Sequence, residues 1–81
     1  MEVRIRLGSG IARFAPSPML SLDLPEGAAV DDLYDLLARS HPELGPALRS
    51  ALPVVRGAHV ERGQSLAQGE EVALLSPVAG G

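Results

Sequence analysis

The 81-residue sequence predicts an α+β fold, a mixed sheet of four to five strands with one main helix packed across one face. Three observations point to it. Two strictly alternating runs come first, a helical period follows from Val30, and the run "EVALLS" lies near the C-terminus, apolar on both faces.

In chain order, "EVRIRL" sets Val3, Ile5 and Leu7 on one face and Glu2, Arg4 and Arg6 on the other, as in a half-buried strand. "GSG" breaks the alternation, and Gly8 to Pro18, with two prolines, reads as a loop. "LSLDL" alternates again, so the first two runs make a hairpin with a loose connection. From Val30 the period changes: Val30, Leu33, Tyr34 and Leu37 fall at i, i+3, i+4 and i+7, with Leu36 widening the stripe. This helix ends before Pro42. Asp31, Asp32 and Asp35 favour its positive end, but Ala29 at the cap position offers no side-chain oxygen. "HPELGPALRSAL" allows one turn of helix near 47–52. "PVVRG" is a short strand, Gly57 a turn, "AHVERG" an edge strand, and Leu66 a core plug before a turn at "AQGE". "EVALLS" suits a central strand. A hairpin, one helix across it and a last strand parallel to the first is the β-grasp arrangement.

Composition excludes several functions. The chain is one domain, and at this length folding buries only about 60–65% of the unfolded surface. Apolar residues make up 46% but include one Phe and one Tyr, so a deep aromatic pocket for a planar cofactor is not expected. Seven basic against ten acidic residues argue against nucleic acid. There is no cysteine, which removes disulfides, zinc thiolates and thiol nucleophiles. "MEVRIRL" is not a signal peptide and no apolar run could cross a membrane, so the expected location is cytoplasmic. Every basic residue is Arg; without Lys, only the N-terminal amine could accept an acyl group.

Within the body of the domain nothing points to catalysis. "GSGIAR" lacks the third glycine of a dinucleotide loop, and Pro16 and Pro18 forbid the long helix such a loop opens. His41 and His59 have no Cys partners and are not expected to bind metal. Helix-start electrostatics account for the aspartates.

The tail is different. Residues 1–76 form the expected domain and 77–81 a flexible tail ending in diglycine. Pro77 cannot donate to a ladder and turns the chain away from the sheet. Val78 and Ala79 can grip a partner, while Gly80 and Gly81, lacking Cβ atoms, can thread a narrow channel and present a carboxylate.

These residues resemble the ubiquitin-like sulfur carriers, and most closely the small subunit of molybdopterin synthase. The resemblance covers nearly the whole chain and is carried by "AAVDDLYDLLARSHPEL", "LAQGEEVALL" and "SPVAGG". Gln68 and Glu70 stand where that family commonly has aspartates, Arg56 where Asn is common, and Ser76 where a proline precedes "PVAGG". The resemblance implies a non-catalytic carrier with no stably bound cofactor. An adenylating enzyme related to ubiquitin activators, using ATP and Mg2+, would convert the Gly81 carboxylate to an acyl-adenylate. A persulfide sulfur donor would displace AMP and leave a thiocarboxylate. The large catalytic subunit of the synthase would then use that sulfur on a pterin precursor in molybdenum cofactor biosynthesis. Carriers for thiamine, cysteine or tRNA thiolation, and protein modifiers, share the fold and the diglycine. A β-grasp interaction module with incidental glycines is the alternative of another class.

Strand parity suggests where a partner docks. With Val72 and Leu74 facing the helix, Ala73 and Leu75 face outward beside Arg4 and Arg6, an aliphatic patch leading into the tail. A loop or the 47–52 segment could instead cover it.

Overall fold

A computed structural model of the chain describes residues 1–77. The first run forms β1 (Glu2–Leu7) and the second β2 (Met19–Asp23), paired antiparallel with Val3 opposite Leu22 and Arg6 opposite Met19. The helix is α2 (Val30–Ser40), preceded by a short turn, α1 (Ser9–Ala12). A 3-10 turn (Pro42–Leu44) and α3 (Gly45–Leu48) lead into β3 (Leu52–Val55), the two-residue β4 (Ala58–His59) and β5 (Glu71–Leu75). The five strands run in the order β2-β1-β5-β3-β4. β5 lies between β1, to which it is parallel, and β3, to which it is antiparallel. The expected β-grasp is therefore the observed fold, with the closing strand at the sheet's centre.

The core lies between the sheet and α2. Val3, Ile5, Val72 and Leu74 from the sheet meet Val30, Leu33 and Leu37 from the helix, and all seven are fully buried. Leu66 is buried as well, plugging the core as its place before a turn suggested. Among the described residues no charged residue is buried as a whole, although the Glu70 side chain is largely covered in its pair with Arg56. The aliphatic composition is thus gathered into one layer, where burial of each Leu, Ile or Val side chain contributes about 1.5–3 kcal/mol.

Two local expectations need correction. Residues 8–18 are not all loop: the chain makes one helical turn at α1, because Ile11 is drawn fully into the core. The helical turns after α2 span 42–48, earlier than 47–52. Pro42 and Pro46 sit in the first turns of those segments, where a missing N–H breaks no bond. Leu44 and Leu48 point inward from them.

The start of α2 shows how the fold makes up for a poor cap. Ala29 accepts the first intrahelical bonds but contributes no side-chain bond. Asp32 reaches back to the Ala29 N–H at 2.8 Å, the reciprocal half of a capping box. The N–H groups of Val30 and Asp31 donate to the carbonyls of Gln64 (2.9 Å) and Arg62 (2.8 Å). Residues 62–66 therefore strap the helix start and satisfy donors that a cap would otherwise serve.

Candidate functional site

The site begins with β5, whose register decides what faces solvent. Arg4 lies opposite Glu71, Arg6 opposite Ala73 and Val54 opposite Ala73 on the other side, so these side chains share the face away from α2. Leu52 pairs with Leu75 at the end where the chain leaves the sheet, and each is 41% exposed. Met19, opposite Arg6, extends the same face on β2. The apolar face is open, and neither the 42–48 turns nor a loop buries its two leucines.

Charge at this face is arranged in a way that alternation alone does not reveal. Arg6 Nε donates to Glu71 Oε2 at 3.0 Å, and Arg4 Nη2 lies 3.9 Å from Glu71 Oε1. One carboxylate thus lies within ion-pair distance of both guanidiniums, on the strand that carries Ala73. Glu71 shared their face by parity; the missing information was the parallel register that puts it against them. Farther along, Arg56 pairs with Glu70, and Glu70 Oε1 accepts the Ala67 N–H at 2.9 Å. Gln68 accepts the Glu2 N–H at 3.0 Å. Three of the residues that depart from the family pattern are therefore spent on local structure around the final turn. They line a groove of about 500 Å³ that reaches Val54 and Ala73.

The tail leaves at the other end of β5. The Gly8 N–H donates to Leu74 O at 2.9 Å, carrying the β1–β5 ladder one step past β1. Beyond Leu75, Ser76 is half-buried and Pro77 exposed. Val78, Ala79, Gly80 and Gly81, expected to thread into a partner and to present the reactive carboxylate, lie outside the described residues. The role of α1 at this exit was not read from the sequence; the one available signal was Ile11, a β-branched aliphatic residue in a stretch rich in glycine, serine and proline.

The larger concavity, about 900 Å³, lies elsewhere, between α2 and α3, and none of its lining residues belongs to β5. There the Arg62 guanidinium sits 3.7 Å over the Tyr34 ring and pairs with Asp31 at 2.8 Å. Asp35 pairs with Arg39 at 3.1 Å and Asp32 serves the helix start. The three aspartates thus have separate partners, and among the described residues no group of three or more His, Asp or Glu could hold a metal ion. His41 lies 3.6 Å from Glu43 at the end of α2, and His59 is exposed on the edge strand. Among the described residues no helix is long and apolar enough to cross a membrane.

What the arrangement offers, then, is a five-stranded sheet with an open aliphatic face at the end of β5, where Ser76 and Pro77 follow the strand. Solved structures share the architecture. A crystal structure of SAMP1, small archaeal modifier protein 1, from Haloferax volcanii is 27% identical, covers 100% of both chains and superposes with a TM-score of 0.89. In a complex of subunits 1 and 2 of molybdopterin-converting factor from Helicobacter pylori, the matching chain is 20% identical over 100% of both chains, with a TM-score of 0.75. A ubiquitin from Caldiarchaeum subterraneum shares the fold at 14% identity, covering 100% of this chain and 98% of its own, with a TM-score of 0.66. No curated protein sequence matches the chain. The ThiS family matches residues 12–81, a span that takes in α2, β5 and the diglycine. On that match and this fold, the chain belongs to the ThiS family, within the ubiquitin-like β-grasp sulfur-carrier superfamily.

Proposed function

We propose that this chain is a sulfur carrier that works through Gly81 and supplies sulfur to a pterin precursor in molybdopterin synthesis. The observation that carries the reading is that the ThiS family match spans β5 and runs on through the final glycines. A carboxylate is a poor acyl donor because its leaving group would be oxide. Attack of the Gly81 carboxylate on the α-phosphate of ATP, in an activating enzyme that holds Mg2+, releases pyrophosphate and leaves an acyl-adenylate. The terminal sulfur of a donor persulfide then attacks the carbonyl and expels AMP. A thiol cleaves the resulting acyl disulfide, becoming oxidised to a disulfide itself, and leaves the thiocarboxylate. Glycine at the reacting position leaves the carbonyl open to attack. The chain supplies the acyl group and its docking face, and its partners supply the catalytic groups.

Arg4, Arg6, Ala73 and Leu75 are the proposed docking residues, joined by Leu52 and Val54. A large synthase subunit is the proposed acceptor, a role supported by the two-subunit Helicobacter pylori complex. The test is to incubate the chain with ATP, the activating enzyme and the sulfur donor, then weigh it intact. A mass rise of one oxygen-to-sulfur exchange is expected, and no change would sink the carrier reading. One residue appended after Gly81 is expected to abolish charging, since it moves the carboxylate out of register with the activating site; a fully charged extended variant would refute the role of the tail.

A second reading, protein modification, is favoured by the similarity to the Haloferax volcanii modifier protein along the full length. Its isopeptide acceptors would be lysines of other proteins, because this chain has none. Lysine-linked adducts ending in the Gly81 residue, found in place of a thiocarboxylate, would decide for it.

A further inference from the structure

Gly8 and Gly10 have ordinary backbone angles; the glycines with positive φ among the described residues are Gly27, Gly57 and Gly69. Conformation therefore does not require glycine in the α1 turn, and in a helix glycine is less favourable than alanine. What marks these positions is close space. A Cβ on Gly10 would lie 2.8 Å from Ser76 Oγ and 3.5 Å from Ser76 Cβ. A Cβ on Gly8 would lie 3.3 Å from both Leu74 O and Leu75 Cδ2.

The turn that makes this close approach is held at both ends. Gly8, the residue before it, is bonded to β5 through its N–H, and its carbonyl accepts the N–H groups of Ile11 (2.9 Å) and Ala12 (2.8 Å). Ile11 is fully buried in the core. Ser76 lies one residue past β5, with no ladder partner of its own. The bare backbone at Gly10 lies close beside it.

We propose that α1 is a seat for the root of the tail, and that Gly10 is a positioning residue whose missing side chain sets the direction in which Ser76 and Pro77 leave the sheet. This rests on the carrier reading for its consequence, because the seat matters to the reaction only if the peptide beyond Pro77 must enter an activating site. A fixed departure direction narrows the search of the tail for that site, where a misplacement of about 1 Å can cost on the order of a hundredfold in rate.

The effect is graded by side-chain size. With Gly10→Ala, Ser76 needs only to rotate its hydroxyl, and Gly81 adenylation is expected to stay within about threefold of wild type. With Gly10→Val the added methyls reach the Ser76 Cβ and backbone, and the adenylation rate at saturating carrier is expected to fall about tenfold with little change in KM. Ser76→Gly in the Gly10→Val background removes the obstructed atoms, and is expected to restore the rate to within about twofold of Ser76→Gly alone. Thermal midpoints of all variants separate loss of folding from loss of aim.

Two results overturn the seat: Gly10→Val charging like wild type, or Ser76→Gly failing to restore a folded Gly10→Val. NMR of the isolated wild-type chain gives a readout that needs no enzyme, a nuclear Overhauser contact between Gly10 Hα and Ser76 Hβ. Its absence refutes the seat whatever the variants do. If the contact is present and the wild type is never adenylated, it is the carrier reading that falls.

Discussion

At the scale of single residues, Tyr34 is the buried side chain with a polar bond to lose. Its hydroxyl donates to Ala51 O at 2.8 Å inside the core, tying α2 to the segment that enters β3. Burial pushes its pKa above the usual tyrosine value; the Arg62 guanidinium over the ring pulls it down, and the Asp31 carboxylate adds to the rise. The folded state therefore prefers the neutral phenol. The stability this confers is complete below about pH 10, the unfolded value, and is lost as the pH rises through the raised folded value. Tyr34→Phe keeps the ring beneath Arg62 but leaves the Ala51 carbonyl unpaired, and is expected to cost about 1 kcal/mol in urea denaturation at pH 7. The same variant should lose the tyrosine-linked decline in stability above pH 10; an unchanged alkaline profile would contradict a raised Tyr34 pKa. Arg56 is the other informative residue. It is the non-glycine residue with positive φ (51°) among those described, next to Gly57, and its ion pair with Glu70 holds it in a conformation that Asn adopts more easily.

At the scale of elements, α2 separates what a segment prefers from what its surroundings provide. An Ala at an N-cap is a weak start, and replacing it by Ser commonly gains about 1 kcal/mol. In this fold the Asp31 N–H already donates to Arg62 O and the Asp32 N–H to Ala29 O, so a new hydroxyl finds no free donor. Ala29→Ser is accordingly expected to change stability by less than about 0.5 kcal/mol. A gain of a full kcal/mol in chemical denaturation would mean that the 62–66 strap does not serve the helix in solution. Asp32→Ala removes the bond to the Ala29 N–H together with a favourable charge at the helix start, and should cost about 0.5–1 kcal/mol. The helical turns at 42–48 teach the same lesson. Proline placement permitted them, but Leu44 and Leu48 reaching the core decided where they formed.

At the scale of the whole molecule, the sheet order gives β5 two tasks. Its inner face is core, and Leu74→Ala is expected to cost about 2–5 kcal/mol, a large share of the stability of a domain this small. Its outer face is free of that burden. Leu75→Asp should leave the thermal midpoint nearly unchanged and weaken binding to the activating enzyme at least about tenfold, the loss expected when a charge enters a dry contact. Equal binding by wild type and Leu75→Asp in titration calorimetry would remove this face from the docking proposal. Leu74 and Leu75, adjacent in sequence, thus separate stability from recognition, because successive side chains on a strand point to opposite sides.

The sequence by itself determined the alternation of β1 and β2, the period and length of α2, the apolar run of the last strand and the family likeness of the tail. Each is local or periodic, and a single run of residues carries it. Only the tertiary structure decided which partners met across the chain. It set Glu71 between Arg4 and Arg6, Glu70 against Arg56, the carbonyls of Arg62 and Gln64 over the start of α2, and Gly10 beneath Ser76. Those pairings join residues 14 to 67 positions apart in the chain, and no local pattern encodes them. They follow from register and from the space left once the aliphatic core has closed.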